Sequence, residues 1–233
     1  FRNRIKFTSD PALLSGCDVV YVAPDVPTND QGESDLTRIE SLLTLVKPFI
    51  QADAVLVILS QVPPGFTRKH CRDGLNLYYQ VETLIFGDAM NRARHPERYI
   101  VGCLDPVAPL PKAYLHFLES SDCPILPMGY ESAELAKISI NCCLVASVSV
   151  ANTLAEICER IGADWSEIVP ALKLDRRIGP YSYLNPGLGI AGGNLERDLE
   201  TVLRFAEANK TDGGVVAAWV HNSKHRKNWA HRV

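Results

Sequence analysis

Residues 18–23 read DVVYVA, an unbroken β-branched run of the kind that forms a strand buried on both faces. Outward from it the pattern repeats. Ala54–Ser60 (AVLVILS) is a second such run. Between the two, Leu36, Ile39, Leu42, Leu43 and Val46 recur at helical spacing, and Pro48 marks the stop near Phe49. Strand–helix–strand order with continuous apolar strands predicts a parallel α/β sheet. Extended segments are also predicted at Ile5–Phe7, Tyr78–Glu82 and Tyr99–Cys103, and helices at Asp10–Leu14, Thr67–Gly74 and Pro111–Leu118. Pro24–Asp35 and Gln61–Gly65 are the loops that leave the first two strands.

The second half changes character. From Glu131 to Ile161 neither proline nor glycine occurs, and apolar residues recur at helical spacing from Leu135 to Cys158. That predicts one helix of 31 residues, about 46 Å long at the standard rise. Being apolar on more than one face, it requires a partner to bury it, and Gly162 ends it. Further helices are predicted at Trp165–Leu172, Glu196–Asn209 and Gly214–Lys227, with a glycine-rich loop over Ile178–Asn194. No G-x-G-x-x-G joins a first strand to a first helix. Gly189, Gly192 and Gly193 do not follow a predicted strand, so they fail the context of a dinucleotide fingerprint.

Composition narrows the function. An apolar share of 46% and a charged share of 22% are those of an ordinary globular protein. A net charge of -3 argues against nucleic-acid binding, and the basic run Lys224–Arg232 reads as a solvated helix end. No run approaches the roughly 20 uninterrupted apolar residues of a membrane span, and no signal segment opens the chain. Seven scattered cysteines show no metal-ligand spacing. Cys142 and Cys143, adjacent on a helix, point in different directions and cannot clamp one metal. Reduced, mostly buried thiols in a cytoplasmic protein is the expectation, with no metal site.

Five segments in order carry a resemblance. They are Asp18–Leu36 (DVVYVAPDVPTNDQGESDL), Ser60–Thr67 (SQVPPGFT), Glu82–Ala89 with His95–Gly102, Glu131–Gly162 and Arg177–Asp198 (RIGPYSYLNPGLGIAGGNLERD). Together they resemble the UDP-glucose/GDP-mannose dehydrogenase family of nucleotide-sugar 6-dehydrogenases. The resemblance implies an α/β, Rossmann-type NAD-binding domain over residues 1–128 and a helical dimerisation domain over residues 129–233. It further implies NAD as cofactor, a nucleotide sugar as substrate and a homodimer built on the 131–161 helix. The family's opening βαβ unit is then expected before Phe1, and its third, nucleotide-binding domain after Val233.

Family members take a sugar 6-hydroxyl to a carboxylate in two hydride transfers. A cysteine thiolate captures the intermediate aldehyde, so that one hard step becomes easier ones. Lys137 and Asn141, four apart on one helix, share a face and match the family's lysine and asparagine at the reacting carbon. An ammonium beside an amide can hold an alkoxide or aldehyde oxygen. The same two residues also read as a surface lysine and a polar interhelical contact. Asp198 matches the family's aspartate that activates water, and also reads as a first-turn helix charge. Glu82 matches the first glutamate of E-F-L-x-E, a candidate general base. By the same resemblance Pro27, Thr28, Ser60, Gln61 and Glu82 are cofactor-binding candidates. Arg177, Tyr183, Asn185, Gly187, Gly189 and Gly192 are substrate candidates, the glycines because they let backbone N–H groups approach a ligand. A tight structural loop is the alternative for those glycines.

Three positions depart from the family. Gln61 replaces the threonine of S-T-V-P, Phe86 replaces the second glutamate of E-F-L-x-E, and Asn194 stands at the nucleophile position. No cysteine follows Cys158, so no shift of register restores the thiol. Two functions remain open: an NAD-dependent oxidoreductase that does not use the cysteine-dependent four-electron route, and a non-catalytic homologue that binds nucleotide sugars or serves as a dimer scaffold.

Overall fold

In a computed structural model of the chain, residues 5–29, 32–85, 87–190 and 193–231 are described. The chain forms two compact units, Phe1–Pro27 with Ser34–Lys137, and Thr28–Glu33 with Ile138–Val233.

The first unit is built on a five-stranded sheet in the order β1 (Val19–Val22), β2 (Val55–Ile58), β3 (Asn76–Gln80), β4 (Tyr99–Cys103) and β5 (Ile125–Gly129). β1, β2 and β3 run parallel in register Val19↔Val55↔Asn76, and β4 pairs β5 in parallel. β3 and β4 are antiparallel through Tyr79↔Gly102, so the sheet is mixed rather than wholly parallel. Helices α1 (Thr37–Val46), α2 (Phe66–His70), α3 (Ala89–Arg94) and α4 (Lys112–Glu119) link the strands. β2 is buried at every residue from Val55 to Ile58, the signature of a central strand covered on both faces. One core cluster joins Val55, Val57 and Val101 of the sheet to Leu110, Tyr114 and Leu118 around α4. Below them, Tyr21 and Tyr114 both donate their phenol O–H to Gln80 Oε1, at 3.0 and 2.9 Å. Burial holds both phenols protonated well above the ordinary tyrosine range.

β5 runs directly into α5 (Tyr130–Ile161), 32 residues long. Its first turns belong to the sheet unit. Tyr130 donates its phenol O–H to the Leu77 carbonyl at 2.6 Å, and Ala133 packs on β4 so closely that only glycine fits at residue 102. A Cβ there would lie 2.9 Å from Ala133 Cβ and 3.1 Å from Tyr79 Cβ. By length and composition α5 is the one helix among the described residues that could cross a membrane, a feature that counting uninterrupted apolar runs did not register. Its buried Glu134, Asn141 and Asn152 are each hydrogen-bonded to other segments of the chain, as a core helix requires.

The second unit contains the rest of α5 with α6 (Trp165–Leu174), α7 (Gly193–Asn209) and α8 (Gly214–Lys227). Asp164 caps α6 by accepting the Ser166 N–H at 2.7 Å. Trp165, at its start, packs on Ala151, Ala155 and Cys158 and donates its indole N–H to the Leu184 carbonyl at 2.9 Å. Val145, Ile190, Leu199 and Val216 form the other cluster. All seven cysteines are free; Cys103 and Cys158 are buried and Cys143 is exposed, so fewer thiols are buried than composition suggested.

Gly102→Ala is expected to lower stability by about 1–3 kcal/mol through overpacking between β4 and α5. Chemical denaturation of the two proteins side by side checks this, and an unchanged midpoint would remove the packing argument.

Candidate active site

α7 begins at Gly193, three residues earlier than its sequence pattern indicates. Asp198 therefore lies in the second turn, not the first, and its carboxylate is engaged sideways rather than at the helix end. Asn141 Nδ2 donates to Asp198 Oδ2 at 2.5 Å, and Arg197 Nε stands 3.5 Å from Asp198 Oδ1. Asn141, Arg197 and Asp198 are 8%, 4% and 1% exposed, so this polar cluster is buried. Lys137, half-buried, precedes Asn141 by four residues on α5, while Asn194, exposed, precedes Asp198 by four on α7. Each pair thus shares one face of its helix.

The thiol nearest in sequence to this cluster is that of Cys142, next to Asn141. Burial, reinforced by the negative charge of Asp198, pushes the Cys142 thiol up to about 11. It remains protonated at neutral pH.

The glycine-rich loop before α7 is held by side chains of the helices around it. Asn152 Oδ1 accepts the Gly187 N–H at 2.7 Å, and Arg226 Nε donates to the Gly187 carbonyl at 3.2 Å. Ser223 Oγ accepts the Ile190 N–H at 2.9 Å. Gly189 has φ +94°, and a Cβ there would lie 2.7 Å from the Ser223 carbonyl, so both conformation and space demand glycine. Asn185 and Tyr183 are exposed beside it. Arg177 is also exposed, with its guanidinium on Asp175 of the same turn. Gly192 lies outside the described residues.

A cavity of about 560 Å³ in the second unit is lined by Thr28, Gly32, Glu196, Arg197, Ser223 and Lys224, among others. Arg204 Nη2 donates to the carbonyl of the lining residue Gly32 at 3.2 Å. Sequence reasoning singled out Thr28 here but not Arg197. The signal was present, since Arg197 immediately precedes Asp198 in a quoted motif.

In the first unit, the loops after β1, β2 and β3 leave the same end of three parallel strands. Open α/β sheets bind nucleotides at that end. Ser60, buried after β2, donates its hydroxyl to the Pro24 carbonyl at 2.5 Å. Gln61 beside it is half-buried and Pro27 is exposed. Glu82, after β3, accepts the Leu84 N–H at 2.8 Å. Phe86 lies outside the described residues. Glu134 was not singled out from sequence, yet it is fully buried and accepts the N–H groups of Gly65 and Thr67 at 2.6 and 2.7 Å. Burial raises its carboxyl above the usual range, with those N–H groups pulling the other way.

Residues 2–114 match the NAD binding domain of the UDP-glucose/GDP-mannose dehydrogenase family, and residues 131–224 match that family's central domain. The chain belongs to this family. UDP-glucose 6-dehydrogenase TuaD of Bacillus subtilis is 29% identical over 215 residues, which cover 88% of this chain and 46% of TuaD. UDP-glucose 6-dehydrogenase of Rickettsia bellii is 27% identical over 232 residues, 96% of this chain and 53% of its own length. A solved UDP-glucose dehydrogenase from the hyperthermophilic archaeon Pyrobaculum islandicum superposes with a TM-score of 0.82 at 26% identity, over 96% of this chain and 54% of that one. The chain spans about half the length of the curated relatives it matches.

NAD is accordingly the cofactor of the matched domain, and the residues present suit it. The strand ends carry a hydroxyl, an amide and a carboxylate at Ser60, Gln61 and Glu82, groups able to hydrogen-bond a ribose or nicotinamide.

Asp198→Asn replaces a buried charged acceptor with a neutral amide that faces Asn141 Nδ2 and the Arg197 guanidinium. It is expected to cost about 1.5–3 kcal/mol. Urea titration gives the answer, and a shift within error would mean that the Asn141 contact does not hold α7.

Proposed function

We propose that the protein oxidises a CH–OH group of a nucleotide sugar and stops after one hydride transfer, releasing an aldehyde or ketone. The observation that carries this reading is the half-buried Lys137 one turn before the buried Asn141, combined with Asn194 on the face of α7 that ends in Asp198. NAD, when bound, accepts the hydride. Lys137 and Asn141 hold the substrate oxygen, and Glu82 takes the hydroxyl proton as the C–H electron pair leaves with its hydrogen. One carbonyl, one NADH and one proton result. The second oxidation of the family's route begins with a C–S bond, which an asparagine amide cannot form. Cys142, with its thiol protonated, does not replace it.

NAD occupying the ends of β1–β3 is part of this reading. The nucleotide sugar would then meet the loop from Tyr183 to Gly189, with Arg177 as a candidate phosphate partner. A homodimer through α5 is supported by its exposed apolar row Val150, Leu154, Ile157 and Ile161, at 52, 41, 46 and 71% exposure. A cytoplasmic location accords with seven free thiols.

A second reading, a non-catalytic homologue that binds nucleotide sugars or scaffolds a dimer, is favoured by Gln61, Phe86 and Asn194 together. The readings separate on incubation of the intact protein with NAD and a panel of nucleotide sugars. One NADH per sugar, lost in Lys137→Ala and rising towards two with a carboxylate product in Asn194→Cys, is the expected result. Two NADH per sugar in the unaltered protein would refute the one-hydride route, and no NADH with any sugar would favour the scaffold. In sedimentation equilibrium the protein should run as a dimer, and a monodisperse monomer would contradict the α5 interface.

A further inference from the structure

The peptide of Gly187 is gripped from both sides by buried side chains. Asn152, on α5 and 1% exposed, takes its N–H through Oδ1 at 2.7 Å. Arg226, on α8 and 5% exposed, gives its Nε–H to the carbonyl at 3.2 Å. The arginine is itself fixed, because Nη1 donates to Glu156 Oε2 at 3.2 Å, and Glu156 is shared with His225 Nε2 at 3.1 Å. Three residues on, Ser223, 4% exposed, accepts the Ile190 N–H. Two anchors from two helices thus bracket Leu188 and Gly189, and α7 follows from Gly193.

Burying Asn152 and Arg226 is costly unless their polar atoms are satisfied. Here they are satisfied by the backbone of a short glycine-rich loop that has no regular secondary structure of its own over Asn185–Ile190. A loop needing only to connect α6 to α7 could meet its backbone needs with water at the surface. Investing a buried asparagine, a buried arginine and its carboxylate in one peptide fixes the direction of the neighbouring N–H and C=O groups.

We infer that Asn152 and Arg226 are positioning residues, which hold the Asn185–Gly189 loop in the conformation that receives the sugar nucleotide. This rests on the reading of that loop as the substrate contact. Asn152 sets the N–H side and Arg226 the carbonyl side, so neither touches the ligand. Loss of either grip lets the loop sample other conformations, and affinity falls by the fraction of time the competent one is lost. NAD affinity should be spared, because the clamp lies on the substrate loop and not on the strand ends.

The test is calorimetry of the intact protein with UDP-glucose and, separately, with NAD, on Asn152→Ala, Asn152→Asp and Ser223→Ala. Asn152→Ala is expected to weaken UDP-glucose binding by about tenfold with NAD binding within about twofold. Asn152→Asp, which keeps an oxygen for the Gly187 N–H, is expected to recover most of the loss. Amide exchange at Gly187 and Ile190 should speed up in the alanine variants, and Ser223→Ala tests the second anchor where Asn152 variants do not fold. Folded variants with faster loop exchange and unchanged UDP-glucose affinity would overturn the positioning role. Equal losses for UDP-glucose and NAD would reduce the clamp to a structural one. Absence of UDP-glucose binding by the unaltered protein would instead overturn the substrate-loop reading, and the inference with it.

Discussion

A carboxylate that is 1% exposed must find hydrogen-bond donors inside the protein, and Asp198 finds them in Asn141 and Arg197. That requirement governs the helical unit. It fixes the rotation of α7 against α5, because turning α7 by one residue, about 100°, would carry Asp198 away from Asn141 and break their buried hydrogen bond. With α7 fixed, Val145, Leu199 and Val216 can close into one cluster with Ile190, and the loop before α7 must reach Gly193 from a set direction.

The sheet unit was legible where local chemistry and tertiary role agree. AVLVILS reads as a strand because a central strand has no polar face, and YIVGC matches β4 residue for residue. DVVYVA is also a strand, but β1 lies at the sheet edge with only Val20 and Val22 buried, so its apolar run overstates its burial. β5 went unread. Its sequence, ILPMG, carries Pro127 and ends in Gly129, both weak strand formers, and its pairing with β4 supplies what local propensity withholds. The antiparallel step from β3 to β4 was also unreadable, since alternation and β-branching report burial but not direction. α3, six residues with no buried side chain, left no apolar period to find.

The site was legible in a different way. Lys137, Asn141 and Asp198 came from spacing and resemblance, and the Asn141–Asp198 contact then came from the fold. Glu134, Asn152 and Ser223 carry no sequence signal, because a polar residue within a helical pattern defaults to a solvated face. Arg226 falls in the basic run Lys224–Arg232 that reads as a solvated helix end, yet it is 5% exposed. What distinguishes them is burial against backbone from distant segments, 67 residues away for Glu134 and Thr67 and 39 for Arg226 and Gly187. No local pattern encodes that.

The energetics also separate the residues that can drift from those that cannot. Asn194 is exposed in the first turn of α7, so exchanging the side chain there costs the fold little. Asn141 and Asp198 are both buried, and replacing either removes the hydrogen bond between them. Their retention is therefore what stability alone would enforce, with or without catalysis. Lys137 is only half-buried on α5, so burial constrains it less than it does Asn141. Of the candidates on α5 and α7, Lys137 is the one that burial fixes least, so replacing it separates a role at the substrate from a role in the fold more cleanly than replacing the buried pair.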